Sequence, residues 1–158
     1  MKRYIDVAYL MLLGITLGLV LTLGAIVAPT IFHADKFLGS GVLNHYQMGL
    51  LMSAIFIKSN YVLNFTAIAI LLREGYAYKS FERDFIIIPS AATAVLMIFL
   101  FTLYYTKEIL SLQAMGAEAT NSNTFVSIHK ASELDFGLLA LSLTLLLARH
   151  IYLMMKGR

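Results

Sequence analysis

The chain has 158 residues, 59% of them apolar and only 13% charged, with a mean hydropathy of +0.79, whereas a soluble domain has about half apolar and about a quarter charged residues. That balance excludes a water-soluble globular domain and describes an integral membrane protein. Twelve Lys and Arg against nine Asp and Glu are too thinly spread to make a nucleic-acid surface, and the cysteine count of zero removes disulfides, thiolate metal sites, iron–sulfur clusters and cysteine nucleophiles together.

A hydrocarbon core of about 30 Å takes about 20 helical residues to cross, so long stretches without charge mark the spans. In chain order they are Val7 to Phe32, Gly49 to Leu72 with one charge at Lys58, Phe85 to Thr106, and a weaker fourth. The first lacks the small-residue cleavage pattern of a secretory signal and is expected to remain as a mature span. The uncharged run of the fourth, Phe136 to Ala148, is too short by itself, so the helix is extended to Glu133 and Met155, with Asp135 and Arg149 snorkelling at the two boundaries. The expected architecture is all-α: a single transmembrane domain over 1–158, built as a four-helix bundle with both termini on one side. Lys2, Arg3, Arg73, Lys79, Arg83, Arg149, Lys156 and Arg158 fall on the side of the termini, against Lys36, Lys107 and Lys130 on the other, so the positive-inside rule puts both termini in the cytoplasm.

The connections follow the same logic. Arg73 to Asp84 is a short inner loop that makes spans two and three antiparallel neighbours. On the outer side, Gly39, Ser40 and Gly41 signal a turn, and Lys107 to Gly116 carries Ile109, Leu110, Leu112 and Met115 at a spacing that suits a helical extension lying at the interface. Ser122 or Thr124 is placed to cap the helix leading into span four.

Few polar or small residues stand out inside the spans. Gly14 and Gly18, continued by Thr22, form a small-residue face for close helix packing, within the bundle or against another chain. The run from Ser90 to Ala94 is comparable. Lys58, about 13 Å from the outer end of its span, has three readings: a side chain snorkelling outward, an ion pair with Glu133 or Asp135, or part of an ion pathway. Ser53, Asn60, Asn64 and Ala67 share the opposite face, so one helix makes polar demands in two directions and a partner or oligomer is expected to meet one of them. Three of the four histidines, His33, His45 and His129, lie on the outer side, where imidazoles can bind metal or haem, although their spacing is no metal motif. His129 and Glu133 are four apart and can pair locally. There is no phosphate-binding loop, dinucleotide fingerprint, H-E-x-x-H or G-x-S-x-G, and no catalytic residue is assigned.

The end of span one, Gly24-Ala25-Ile26-Val27-Ala28-Pro29-Thr30-Ile31-Phe32-His33, resembles the small bacterial membrane proteins of unknown function grouped with eukaryotic transmembrane protein 205. Tyr46, Gly49 and Phe56 at the opening of span two, and Phe125, His129 and Ser132 before span four, extend that resemblance over most of the chain. It implies a four-helix membrane domain without an established activity, in which Pro29, Phe32, His129 and Ser132 are family features of unknown role. The expectation drawn from all of this is a non-enzymatic accessory, assembly or chaperone subunit of the bacterial inner membrane. Its partners would be the bilayer and another integral membrane protein or a second copy, with no nucleic acid and no cofactor. A haem-, metal- or quinone-binding redox protein using the outer-face histidines His33, His45 and His129, with haem or copper as the cofactor, is the alternative, and a small transporter or metal-resistance factor the third.

Overall fold

A computed structural model of the protein describes residues 2–39, 41–81 and 83–157. Four long helices are apolar enough to cross a membrane: α1 (Tyr4–Phe32), α3 (His45–Lys79), α4 (Ile87–Ala114) and α6 (Asn123–Met155). Two short helices, α2 (Asp35–Leu38) and α5 (Ala117–Thr120), sit in the connections between α1 and α3 and between α4 and α6. No strand occurs among the described residues. The chain is therefore an all-α, multi-pass membrane protein, with the helices running alternately up and down.

The helices pack as a ring in which α4 and α6 share the most extensive interface and α1 closes against both α3 and α6. Leu13, Leu63, Ile70, Ile98, Leu139, Leu143 and Leu146 are fully buried at its centre. The opposite faces carry an exposed apolar surface that water would not tolerate, including Met11, Ile15, Phe65, Ile68, Leu72 and Leu141, and lipid is the solvent that accepts it. Inside the ring, α1 and α3 are joined by a buried bond 2.7 Å long between the Thr16 and Thr66 hydroxyls.

Each helix runs past its uncharged stretch. The inner loop expected from Arg73 to Asp84 is mostly helix, because α3 continues to Lys79 and charge ends hydropathy without ending helix propensity. At the far end α4 continues to Ala114 as one helix, so the expected interfacial extension is a direct continuation of the span. Ser122 caps α6, its hydroxyl accepting from Phe125 N at 3.2 Å, and carries that helix ten residues beyond Glu133. Asn44 and Gln47 form a reciprocal capping box at the start of α3. Gly39 and Gly41 turn the preceding chain at φ of 89° and 88°, conformations that favour glycine; Ser40 of that expected turn lies outside the described residues.

Two helices widen into π turns, Leu23–Val27 in α1 and Leu100–Tyr105 in α4. The first precedes Pro29, which has no N–H to continue the regular ladder. The second is held by side chains. Thr106 Oγ1 donates to Phe101 O at 2.8 Å, Asn60 Nδ2 donates to Thr106 Oγ1 at 3.2 Å, and Thr102 Oγ1 donates to Asn64 Oδ1 at 2.9 Å. Asn60 Nδ2 and Asn64 Oδ1 are thus answered inside the bundle, by the irregular part of α4, while Asn60 Oδ1 is buried without a partner.

Candidate functional site: an aromatic cavity and a charged cluster at opposite ends

At the end remote from the termini, α1, α3, α4 and α6 enclose a cavity of about 910 Å³, within the range of small-molecule sites. Both π turns border it, through Gly24 and Ala25 on one side and Phe101 on the other, a placement in keeping with the frequent use of such turns at functional sites. Its floor is a cluster of three rings: Phe56 lies 5.1 Å from Phe101 and 5.5 Å from Phe136, and Phe101 lies 4.8 Å from Phe136. Phe32 stands higher, 5.4 Å from the His45 ring and 6.2 Å from the His129 ring, and Phe125 stacks on His129 at 5.9 Å. Gly24, Gly49 and Gly137 line the walls without side chains.

The polar groups of this cavity are few, and Glu133 is the one acid among them. His33 Nδ1 lies 2.8 Å from Pro29 O, so that nitrogen donates and leaves Nε2 available. His129 Nε2 is 3.3 Å from Glu133, as the four-residue spacing allows, and Ser132 Oγ donates to His129 O at 2.7 Å. Tyr46 donates to the backbone carbonyl of Gln113 at 2.8 Å, while the Gln113 side chain, only 3% exposed, has its Oε1 without a partner. Neither Lys nor Arg lines the cavity.

His33, His45, His129, Pro29, Phe32, Ser132 and Glu133 are far apart in the chain and meet around this one space. Among the described residues no group of three His, Asp or Glu is close enough to hold a metal ion, so the three imidazoles share a cavity without forming a ligand set. Lys58 is exposed on the row that also carries Ala54, Tyr61 and Phe65, and among the described residues it forms no ion pair with Glu133 or Asp135. Its helix turns it outward, which leaves the snorkelling reading. Asp135 does not snorkel: it is 3% exposed, turned into the bundle, with Oδ2 lacking a partner. Gly14 and Gly18 do not pack inside the bundle either, since a Cβ built at either meets no atom within 4 Å. Asn60 and Asn64 are the pair that locks the π turn of α4.

At the other end a charged cluster borders a second cavity, of about 920 Å³. Arg73 donates to Asp6 at 3.0 Å and to Glu74 at 2.9 Å, and its guanidinium lies 4.8 Å from the centre of the Tyr9 ring. His150 Nε2 is 2.9 Å from Glu74 Oε1 and 3.3 Å from Arg73 Nη1. Arg73 can only donate, so a proton on Nε2 serves the first contact and a lone pair there the second. Arg149 donates from Nε to Asp84 Oδ1 and Oδ2 at 3.2 Å and 3.1 Å, and from Nη2 to Oδ2 at 2.8 Å. These bonds from Arg149, with the backbone N–H of Ile86 and Ile87, hold the Asp84 carboxyl down at about 2. The cluster clamps α1, α3, α6 and the α3–α4 loop together, and each cation in it meets an acid.

The sequence reading passed over this cluster, because its members looked like ordinary inner-loop charges; only the adjacency of Arg73 and Glu74 at a helix end hinted at it. Gln113 was also missed, as a polar residue among the apolar positions Ile109, Leu112 and Met115 of a presumed surface helix.

The family model described as a domain of unknown function (DUF4149) matches residues 11–118, and the chain belongs to that family. The matched stretch holds α1 from Met11 on, all of α3 and α4 and most of the distal cavity's walls, while α6 lies beyond it. Comparison with curated proteins and with solved structures returns no match.

Proposed function

We propose that the protein binds a neutral amphipathic membrane molecule in the distal cavity and acts as a non-enzymatic membrane subunit that holds or presents it. The carrying observation is a cavity of about 910 Å³ with aromatic floor and walls, a few hydrogen-bonding groups and no cation, set in the apolar zone of a bundle. An anionic phospholipid head would find no Lys or Arg there and would approach Glu133; an uncharged head meets no such penalty. By the distribution of Lys and Arg the cavity faces the outer leaflet of a bacterial inner membrane, with both termini cytoplasmic.

The test is organic extraction of the purified protein followed by mass spectrometry, with Gly137→Phe as the control. Gly137 lines the cavity and a Cβ there meets nothing within 4 Å, so the aromatic ring fills space without a clash at its root. A neutral lipid retained by the native protein and lost from the variant supports the reading. Bulk phospholipid alone, in equal amounts from both, overturns it.

The second reading, an accessory or assembly subunit docked on a larger membrane protein, draws support from the outward face of Gly14 and Gly18, which no helix of this chain covers. Gly18→Leu leaves the bundle unchanged and removes a co-purifying partner if that face is used; an unaltered complex rejects it.

A further inference from the structure

From the Gln113 amide we infer that the distal cavity is a headgroup site for a quinone-class lipid: an uncharged planar ring with carbonyl oxygens, carried on an apolar tail. This rests on the proposed function above and names the chemistry of its ligand. Buried amides find partners in nearly all proteins, because an unpaired one costs about 1 to 3 kcal/mol. Gln113 is 3% exposed, lines the cavity, and its Oε1 has no partner. Among the described residues its side-chain nitrogen takes part in no hydrogen bond either; the bond at this residue from outside its helix goes from Tyr46 to the backbone carbonyl. Gln113 is also held close: a Cβ at Gly49 would stand 3.3 Å from Nε2, so the absence of a side chain at position 49 is what leaves the amide its place.

The amide's Nε2 is a donor, which suits a carbonyl of the oxidised ring. The remaining features select the ring. Phe32, Phe56, Phe101, Phe125 and Phe136 surround the space at offset and tilted angles that accept a planar guest, and His33 keeps Nε2 available for its far oxygen. The absence of Lys and Arg from the lining fits a head without charge. Esters of a neutral glycerolipid share the carbonyl chemistry without the ring, and a prenol shares the tail without the carbonyl, so both serve as competitors.

The experiment is equilibrium binding of decylubiquinone to the full-length protein in detergent micelles, in competition with diacylglycerol, a prenol and phosphatidylglycerol. Saturable quinone binding, preferred over all three and weakened at least tenfold by Gln113→Leu with thermal stability unchanged or raised, supports the inference. A structural glutamine would behave oppositely, since its loss would lower stability and leave affinity in place. Should Gln113→Leu not fold, Gly49→Ala carries the test: it presses on the amide and is expected to weaken quinone binding by a smaller factor. Undiminished binding by a folded Gln113→Leu or by Gly49→Ala overturns the inference. Binding of diacylglycerol or prenol in preference to quinone overturns it too while the proposed function stands, and failure to bind any neutral lipid removes both.

Discussion

The two ends of this bundle solve opposite problems. Around Arg73 and Arg149 charged side chains are gathered where four segments meet: Arg73 is matched by Asp6 and Glu74 and Arg149 by Asp84, while Arg83 lies over the Tyr78 and Phe81 rings. Around Gln113 and the three histidines there is aromatic surface, empty volume and a buried amide left without a partner. Charges that satisfy one another consume their capacity to recognise anything else, so the termini end works as a clamp. Polar groups left over at the edge of a hydrophobic cavity retain that capacity. The lesson is that the functional end of a membrane bundle can be the less charged one.

The largest expected effect lies at the clamp. Glu74→Leu leaves His150 without its acid and Arg73 with Asp6 alone, and is expected to cost about 3 kcal/mol, read by equilibrium denaturation in mixed micelles, with quinone affinity of the folded fraction unchanged. A loss of affinity on the same scale would erase the distinction between the ends. Next is Asp135, an acid buried away from any partner for Oδ2. Asp135→Asn keeps its shape, removes a charge without compensation, and is expected to raise stability by about 1 kcal/mol at neutral pH in the same assay. A loss of stability instead would mean that this acid does work no contact in the fold accounts for.

Smaller is the bond that joins α1 to α3 midway between the ends. A double-mutant cycle of Thr16→Val and Thr66→Val is expected to give a coupling of about 0.6 kcal/mol, typical of interhelical hydrogen bonds in a membrane. The last, read by pH, is the part-buried Arg149–Asp84 pair of the clamp. The Asp84 carboxyl sits below its ordinary value of 3.8, at about 2, so its contribution is present above about pH 4 and is lost as pH falls through 2. The stability difference between the native protein and Asp84→Asn should accordingly stay constant from neutral pH to about 5 and close below 3; a difference that persists unchanged down to pH 2 would remove the Asp84 carboxylate from the clamp.

Much of this was written in the chain. Length and hydropathy specify four crossing helices, because a bilayer asks only for unbroken apolar length with internal hydrogen bonds, and both are local properties. The resemblance of Pro29, Phe32, His129 and Ser132 to a family pattern also singled out residues that line one wall or another of the same cavity. Direction was harder. Lys58 and Asp135 are separated from their neighbours by charge alone in the sequence, yet one faces out and the other in, since a turn of about 100° per residue converts small errors of register into a different face. The ten added residues of α6 depended on a single serine cap, which hydropathy does not weigh.

What the sequence determined by itself is the class of solvent, the number of crossings and the helical state of each, all set by residue type summed along a window. What only the tertiary structure decided is which polar atoms find one another: that Arg73 reaches Asp6 across 67 positions, that Asn60 Nδ2 and Asn64 Oδ1 close on a π turn, and that Gln113 Oε1 closes on nothing. Pairing is a property of the space between helices, and that space exists only once all four have packed.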